Sequence, residues 1–246
     1  MAAADLLRGF SPERMEVERK AGGDPVTEAD RAVDDLLRRT LVRGEEGWLS
    51  EETRDDGTRL SRRRVWVVDP LDGTREFVAG IPEWCVSIAL VEDGTPVAGG
   101  TCNPVTGETF LGDRESGVRE NGSAVRVSSR AELAGALVLA SRSETARGEW
   151  DRFRHAPFQV RPTGSVAYKM SLVAAGRADA TFTLVPKHEW DVAAGVALVT
   201  AAGGTVRRID GSALAFNRPD ASLPGLLAAN AVLADRLQEF LRGAAG

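Results

Sequence analysis

The chain has 246 residues, a net charge of −5 and a sequence pI near 5.3. Its length suits one large domain, or one fold made of two halves, with a sizeable buried core. The acidic balance argues against a broad nucleic-acid-binding surface, so we expect no nucleic acid polymer among its partners.

The first half of the chain mixes helices with antiparallel strands. Residues 2–20 predict a short helix interrupted near Ser11, and a stronger helix follows from Thr27. Asp30, three residues after Thr27, gives a pattern like a capping box, and Gly44 marks the end of this helix. Strands are then predicted at 65–68, 85–91, 96–100, 109–111 and 124–127, with a hairpin turn at 92–94.

The second half alternates strands with helices, which is typical of an α/β arrangement. Strands are predicted at 136–140, 181–185 and 226–229, and helices from Gly164 onward, at 190–202 and at 231–241. We therefore divide the chain into an α+β half, residues 1–128, and an α/β half, residues 129–246. The two halves are expected to form one continuous catalytic unit.

Cysteine content and the length of apolar runs indicate the cellular compartment of the protein. Cys85 and Cys102 lack metal-type spacing, which indicates reduced core thiols rather than redox or zinc chemistry. No apolar run reaches the length of a signal-peptide core or of a membrane span. The sequence therefore predicts a cytoplasmic protein without a membrane partner.

The stretch DPLDGT places Asp69 and Asp72 at the end of a predicted buried strand, in a turn that starts at Pro70. Two carboxylates so close together repel each other unless a cation lies between them. Mg²⁺ and Mn²⁺ prefer such oxygen ligands, and the carbonyl of Leu71 offers another. If Gly73 opens a helix or tight turn, the following amides suit a phosphate. An Asx turn with Asp72 as a helix cap is the alternative for this stretch alone.

Three further acids lie at the ends of predicted elements, beside apolar segments: Asp30, Glu51 and Asp191. Each alone fits an ordinary role, as a cap for Asp30 and Asp191 and as a solvated acidic loop for Glu51. Together with the DPLDGT acids they favour a two-metal hydrolytic site, which needs carboxylates that converge from separate elements. The metal site falls mainly in the first half of the chain.

These motifs resemble the inositol monophosphatase family of Mg²⁺-dependent, lithium-sensitive phosphatases. The matching stretches are DPVTEAD, LSEE, WVVDPLDGTREF, GSVAYKMSLVAAGRADA and EWDVAAG, and the likeness covers nearly the whole chain. Within the family, the sequence looks most similar to bacterial 3'(2'),5'-bisphosphate nucleotidases. The resemblance implies a phosphoric monoester hydrolase with a layered αβαβα sandwich fold, which is often a homodimer.

The resemblance also implies a role for each matching residue. The metal ligands for two or three Mg²⁺ ions, with Mn²⁺ as a substitute, would be Glu51, Asp69, the Leu71 carbonyl, Asp72 and Asp191. Asp30 and Thr74 would form a hydrogen-bonded pair that helps Glu51 to activate the attacking water. Asp72 and the amides of Gly73 and Thr74 would contact the phosphate.

Other substrate contacts are expected at two places. Gly164 and Ser165 lie at a helix start, which suits an anion or a hydroxyl, and Lys169 follows one turn later. His188 lies three residues before Asp191. A solvated lysine and an ordinary loop histidine are the alternatives for Lys169 and His188.

Position 184 separates the branches of the family. Inositol-type relatives place a glutamate seven residues before the metal-binding aspartate of the WD motif, whereas this chain has Leu184. Together with Arg75-Glu76-Phe77 after the DGT motif, this favours a nucleotidase that converts adenosine 3',5'-bisphosphate to AMP and phosphate. The alternatives are inositol-1-monophosphatase, fructose-1,6-bisphosphatase or another phosphatase acting on a small phosphorylated metabolite.

Two rival interpretations lie outside this family. Haloacid-dehalogenase-type phosphatases use acids two residues apart in DxDGT, whereas Asp69 and Asp72 are three apart, so this class is disfavoured. A related binding module without catalysis should have lost at least one of the acidic or hydroxyl residues, yet all are present.

Overall fold

A computed structural model describes residues 2–10, 17–19 and 25–243 of the chain. The helices among these residues are α1 (Ala2–Arg8), α2 (Glu28–Leu41), α3 (Thr74–Val78), α4 (Arg142–Ala146), α5 (Val166–Ala174), α6 (Glu189–Ala201) and α7 (Ala231–Gly243). None of these described helices is long and apolar enough to cross a membrane.

Within the part of the chain that the structure describes, the strands form two large sheets and two small ones. In chain order they are β1 (Val17–Arg19), β2 (Pro25–Thr27), β3 (Gly47–Ser50), β4 (Arg64–Asp72), β5 (Cys85–Glu92), β6 (Thr95–Asn103), β7 (Glu108–Asp113), β8 (Gly117–Glu120), β9 (Ser123–Val125), β10 (Leu137–Ser141), β11 (Gln159–Thr163), β12 (Ala180–Thr183), β13 (Lys187–His188), β14 (Thr205–Arg208), β15 (Ser222–Leu223) and β16 (Leu226–Ala229).

The first large sheet has seven strands in the order β3-β4-β5-β6-β7-β8-β9. Only β3 and β4 run parallel, and the remaining neighbours are antiparallel. The predicted hairpin is confirmed between β5 and β6, where Asp93 and Gly94 both adopt positive φ angles of 49° and 74°. A two-residue turn of this kind matches the twist of the strands that it joins.

The second large sheet has five strands in the order β11-β10-β12-β16-β14. Its β10 runs parallel to both β11 and β12, while β16 is antiparallel to β12 and β14. Parallel neighbours need crossover connections. Along the chain, α4 lies between β10 and β11, and α5 lies between β11 and β12. Ser141, at the carboxyl end of β10, lies in the wall of the site described below.

Three hydrophobic clusters show how the layers pack. The largest joins the first sheet to α5, α6 and the inner face of the second sheet. A second cluster packs α7 and the aromatic residues around Trp150 on the outer face of the second sheet, and a third packs α1 and α2 on the outer face of the first. This is the predicted αβαβα sandwich, which is therefore confirmed.

One glycine allows the central layer to approach the first sheet closely. A Cβ atom on Gly99 of β6 would lie 2.7 Å from the carbonyl oxygen of Ala194 in α6. Because this is closer than real Cβ contacts, the position requires glycine. The contact brings α6, which carries Asp191 in its first turn, against the sheet that carries Asp69 and Asp72.

The structure corrects several sequence predictions. The strand predicted at 65–68 continues to Asp72, and the sequence did not predict β8, β11, β14 or α4. The first helix ends at Arg8, and the expected interruption near Ser11 lies outside the described residues. Cys85 is buried and Cys102 half-buried, and both are free thiols, as expected.

Candidate active site

A cavity of about 290 Å³ opens where the two halves of the chain meet. Its walls come from the end of β4, the start of α3, the end of β10 and the first turns of α5 and α6. The lining residues include Glu51, Asp69, Leu71, Asp72, Gly73, Thr74, Gly164, Ser165, Lys169 and Asp191. Most of the site residues predicted from the sequence therefore lie around one cavity.

Asp69 and Asp72 reach this cavity because β4 is irregular at its end. The register of β4 against β5 shifts between Asp69 and Asp72, and the backbone N–H of Leu71 donates to Asp69 Oδ1 at 2.9 Å. An irregularity of this kind re-aims side chains and accommodates Pro70 within a strand. The two acids therefore share one cavity although they are three residues apart, and the expected turn at Pro70 is instead a bulged strand.

Three carboxylates lie close enough together to hold a metal ion. One ligand oxygen from each of Glu51, Asp69 and Asp191 lies within 4.8 Å of the others. Burial raises the pKa of Asp69 well above its usual value, and the neighbouring charges of Glu51, Asp72 and Asp191 raise it further. The all-oxygen donor set suits a hard divalent cation, and such a cation would relieve the repulsion among these carboxylates.

The pKa of Asp191 is raised by the same two factors, burial and neighbouring negative charge. Burial raises its pKa to about 8, with further contributions from the charges of Asp72 and Glu51. The backbone N–H of His188 donates to Asp191 Oδ2 at 2.7 Å and so fixes the carboxylate at the first turn of α6. The start of α6 thus provides a fixed acid in the same cavity as Asp69, although the two residues are 122 positions apart in the sequence.

Asp72 is held differently from the other three carboxylates. Its Oδ2 atom accepts hydrogen bonds from Ser165 Oγ and from the backbone N–H of Ala167, both at 2.6 Å. Burial raises the pKa of Asp72, while these two bonds and the charge of Lys169 act in the opposite direction. Asp72 therefore connects the metal-type cluster to the start of α5, and its predicted metal contact stays a prediction.

The predicted pair of Asp30 and Thr74 lies within hydrogen-bond distance. Thr74 Oγ1 lies 3.4 Å from Asp30 Oδ1 and 3.1 Å from the carbonyl oxygen of Leu71, so its single hydrogen can be donated to either acceptor. Asp30 is buried on α2, so its carboxylate orients the Thr74 hydroxyl from behind the cavity wall. The role of the pair in activating water stays a prediction.

Gly73 allows the chain to turn from β4 into α3. It adopts a φ of 98°, and a Cβ atom there would lie 2.9 Å from Trp84 Cβ. Both the backbone conformation and the space therefore require glycine. Gly73 and Thr74 line the cavity, and contact of their amides with a phosphate stays a prediction.

The substrate residues predicted on α5 line the cavity but have internal partners. Ser165 caps α5 by accepting from the Tyr168 N–H at 2.9 Å, while its hydroxyl donates to Asp72. Lys169 is only 4% exposed and donates to the carbonyl oxygens of Ser165 and Thr163. The alternative of a solvated lysine is therefore wrong, and burial lowers the pKa of Lys169 to about 8.

His188 does not line the cavity, although its backbone supports Asp191. Its exposed ring stacks on Trp190 at a centroid distance of 4.5 Å and an interplanar angle of 12°. Contact between His188 and a substrate therefore stays a prediction. Leu184 also lies away from the cavity and packs against the aromatic cluster around Trp150.

The sequence did not predict a set of charged and hydroxyl residues that complete the lining: Arg75, Glu76, Ser141, Arg142, Ser143, Arg147 and Lys187. Arg142 pairs with Glu83 at 2.5 Å, and Glu83 also accepts from the Gly164 N–H at 2.8 Å. The available sequence signal was the run SRS after the β10 strand, since ligands commonly bind beyond the carboxyl ends of parallel strands.

Comparison with known proteins finds a family model and relatives that match most of the chain. A model of the inositol monophosphatase family matches residues 1–244. An inositol-1-monophosphatase from Mesorhizobium japonicum is 36% identical over 220 residues, which cover 85% of this chain and 82% of that protein. The solved structure of the extragenic suppressor protein suhB from Bartonella henselae matches with a TM-score of 0.84 and 31% identity, covering 98% of this chain and 94% of that chain.

The comparisons support the expected nucleotidase likeness less than its alternative. Further curated relatives are named inositol monophosphatase or Nus factor SuhB. A CysQ structure from Bacteroides thetaiotaomicron matches with a TM-score of 0.77 and 28% identity, covering 93% of each chain. The likeness is thus stronger to proteins with the inositol monophosphatase name.

Proposed function

Since the chain belongs to the inositol monophosphatase family and is a metal-dependent phosphomonoesterase, we propose that it hydrolyses a small polyol phosphate, with inositol 1-phosphate as the first candidate. The carrying observation is the cluster of Glu51, Asp69 and Asp191 in the cavity that also contains the amides at the start of α3. The names of the curated relatives support this substrate class.

The three clustered carboxylates, with Asp72 beside them, would hold two or three Mg²⁺ ions, for which Mn²⁺ can substitute. When bound, such ions neutralise charge on the phosphate and lower the pKa of the attacking water. The residues of the chain supply orientation. Asp30 fixes the Thr74 hydroxyl, which can then accept a hydrogen bond from that water, while the α3 amides hold the phosphate oxygens.

A nucleoside bisphosphate is the second candidate, because of the charges around the cavity. Arg75, Arg142, Arg147 and Lys187 line it together with the carboxylates. Leu184, where the resemblance implies a sugar-binding glutamate, packs into a core instead. Adenosine 3',5'-bisphosphate carries the additional negative charge that such a basic rim can accommodate.

The test is release of inorganic phosphate with Mg²⁺ from inositol 1-phosphate, adenosine 3',5'-bisphosphate and fructose 1,6-bisphosphate, each with and without lithium. A higher kcat/KM for inositol 1-phosphate supports the first candidate, and a higher value for the nucleotide supports the second. Equal and slow release from all three would contradict both assignments. Asp69→Asn is the control, because it removes a carboxylate of the cluster and leaves the cavity shape unchanged.

A further inference from the structure

Glu144 is a buried acid that no step of the proposed reaction uses. It is 3% exposed and follows β10 by three residues, in the first turn of α4. Its carboxylate accepts from Trp150 Nε1 at 3.1 Å, from Thr183 Oγ1 at 3.0 Å and from Lys187 Nζ at 3.2 Å. The carboxylate is therefore fixed from three sides.

The partner of Glu144 lies on the wall of the active-site cavity. Lys187 lines the cavity, and its side chain is 17% exposed against 4% for Glu144. Its backbone is fixed as well, since β13 pairs Lys187 with Leu223 of β15. Among the described residues, Glu144 is the hydrogen-bond acceptor that holds this ammonium group, which has three N–H donors in total.

Stability alone does not account for such a pair. Replacing a buried ion pair with well-packed apolar residues is often neutral or stabilising, so the pair is weak evidence for a structural role. The use of lysine is also selective, because only three of the 31 Lys and Arg residues are lysines and two of these line this cavity. Both observations favour a role for Lys187 in the site.

Lys187 is close to the position where a substrate must lie. It precedes Asp191 by four residues, both line the cavity, and its charge acts on Asp191 and on Lys169. A phosphate held at the carboxylate cluster would therefore share the cavity with Lys187, whose ammonium group can contact the rest of the substrate. A cation there favours an anionic group over a neutral hydroxyl.

Resting on the proposed phosphomonoesterase function, and favouring its second candidate over inositol 1-phosphate, we propose that Lys187, positioned by Glu144, is a specificity residue that binds a second anionic group on the leaving part of the substrate. The ligand chemistry is a phosphate or carboxylate on the alcohol that is released. Lys187 contacts this group directly, whereas Glu144 acts through Lys187 as a positioning residue. Esters without a second anion make no such contact.

The experiment compares Lys187→Met with the unaltered enzyme on two matched pairs of substrates. Adenosine 3',5'-bisphosphate and 3'-AMP differ in a second phosphate, and 3-phosphoglycerate and glycerol 3-phosphate differ in a carboxylate. A charge-assisted hydrogen bond corresponds to about a tenfold to hundredfold effect. We expect kcat/KM to fall by this factor for the member of one pair that carries the second anionic group, and by less than about twofold for its partner.

The pair that responds identifies the second anion as a phosphate or a carboxylate. A fall that is equal for both members of each pair, or no fall at all, would overturn the proposal while leaving the phosphomonoesterase function intact. Arg64→Met is the matched control, since Arg64 pairs with Glu92 at 3.1 Å and does not line the cavity. It removes the same charge and should leave the discrimination unchanged.

Three further variants distinguish a loss of folding from a loss of anion binding. If Lys187→Met unfolds because Glu144 is left unpaired, the double variant Lys187→Met/Glu144→Gln removes both charges and must lose the same discrimination. Glu144→Gln alone should weaken discrimination, and Glu144→Asp should restore part of it.

If no ester is hydrolysed, a binding measurement tests the anion site at Lys187 independently of the proposed function. Calorimetry then compares 5'-AMP and glycerate with their uncharged counterparts, adenosine and glycerol. The anion site is supported, without any turnover, if Lys187→Met binds 5'-AMP or glycerate more weakly than the unaltered protein does and binds adenosine and glycerol equally well. Equal binding to both proteins overturns it.

Discussion

Replacing Asp191 with asparagine should stabilise the metal-free protein at high pH, although it removes a predicted metal ligand. The pKa of this carboxyl is raised from 3.8 to about 8, first by burial and then by Asp72 and Glu51. An acid with a raised pKa in the folded state binds its proton more tightly there than in the unfolded chain. Asp191 therefore does not lower the free energy of unfolding below about pH 4. Between about pH 4 and pH 8 it lowers the free energy of unfolding increasingly, because only the unfolded chain releases the proton easily.

The size of this effect follows from the same pKa. At about 1.4 kcal/mol per pKa unit the full shift corresponds to about 6 kcal/mol, and roughly a third of it is expected on removal of Asp191 alone because the shift is shared with the neighbouring acids Asp72 and Glu51. We therefore expect Asp191→Asn to raise the free energy of unfolding by about 2 kcal/mol at pH 8, and by less than about 0.5 kcal/mol at pH 4. The asparagine side chain keeps an oxygen that can accept the His188 N–H bond.

Urea unfolding in the presence of a chelator measures this difference at each pH. Added Mg²⁺ should then stabilise the unaltered protein and have little effect on Asp191→Asn, because a ligand stabilises only the state that binds it. Asp35→Asn, an exposed acid on α2, is the control and should change stability by less than about 0.5 kcal/mol at either pH. A stability gain of Asp191→Asn over the unaltered protein that is no larger at pH 8 than at pH 4 would refute the electrostatic explanation.

Three further substitutions test other parts of the structure. Gly195→Ala places a Cβ atom 2.5 Å from Met170 Cβ, so the free energy of unfolding should fall by about 2 kcal/mol in urea titrations, and an unchanged value would contradict the packing of α5 on α6. Arg59→Met removes bonds of 2.8 Å to the Asn217 side chain and to the 218 carbonyl, and a loss of about 2 kcal/mol by calorimetry is expected. Thr74→Val should lower kcat about a hundredfold with unchanged circular dichroism; full activity would exclude the hydroxyl from the reaction.

Local patterns in the sequence were sufficient for much of the fold. The Asp93-Gly94 turn predicted the hairpin because both residues tolerate positive φ, and the apolar stretch after Trp190 predicted a buried helix, α6. The sequence did not predict β14 (Thr205–Arg208), whose residues are half-buried, lack an alternating pattern and depend on pairing with β16. Such a strand is determined by its neighbour in the sheet rather than by its own residues.

The candidate site shows the same limit. DPLDGT predicts neighbouring acids, but its proline also predicts the end of the strand, whereas the irregular register lets β4 continue to Asp72. The pairing of Glu144 with Lys187 joins residues 43 positions apart and depends on α4, which the sequence did not predict. Contacts between distant segments require the fold, so the basic side of the cavity could not be found from local spacing.

The clustered carboxylates of Glu51, Asp69 and Asp191 are expected to hold the metal on which this phosphomonoesterase depends. The most direct measurement is calorimetric titration of Mg²⁺ into the chelator-treated protein and into Asp69→Asn, followed by phosphate release from inositol 1-phosphate by the same samples. We expect saturable Mg²⁺ binding and Mg²⁺-dependent release for the unaltered protein, with binding weakened and release lost in Asp69→Asn. Phosphate release by Asp69→Asn at the rate of the unaltered protein would contradict the account.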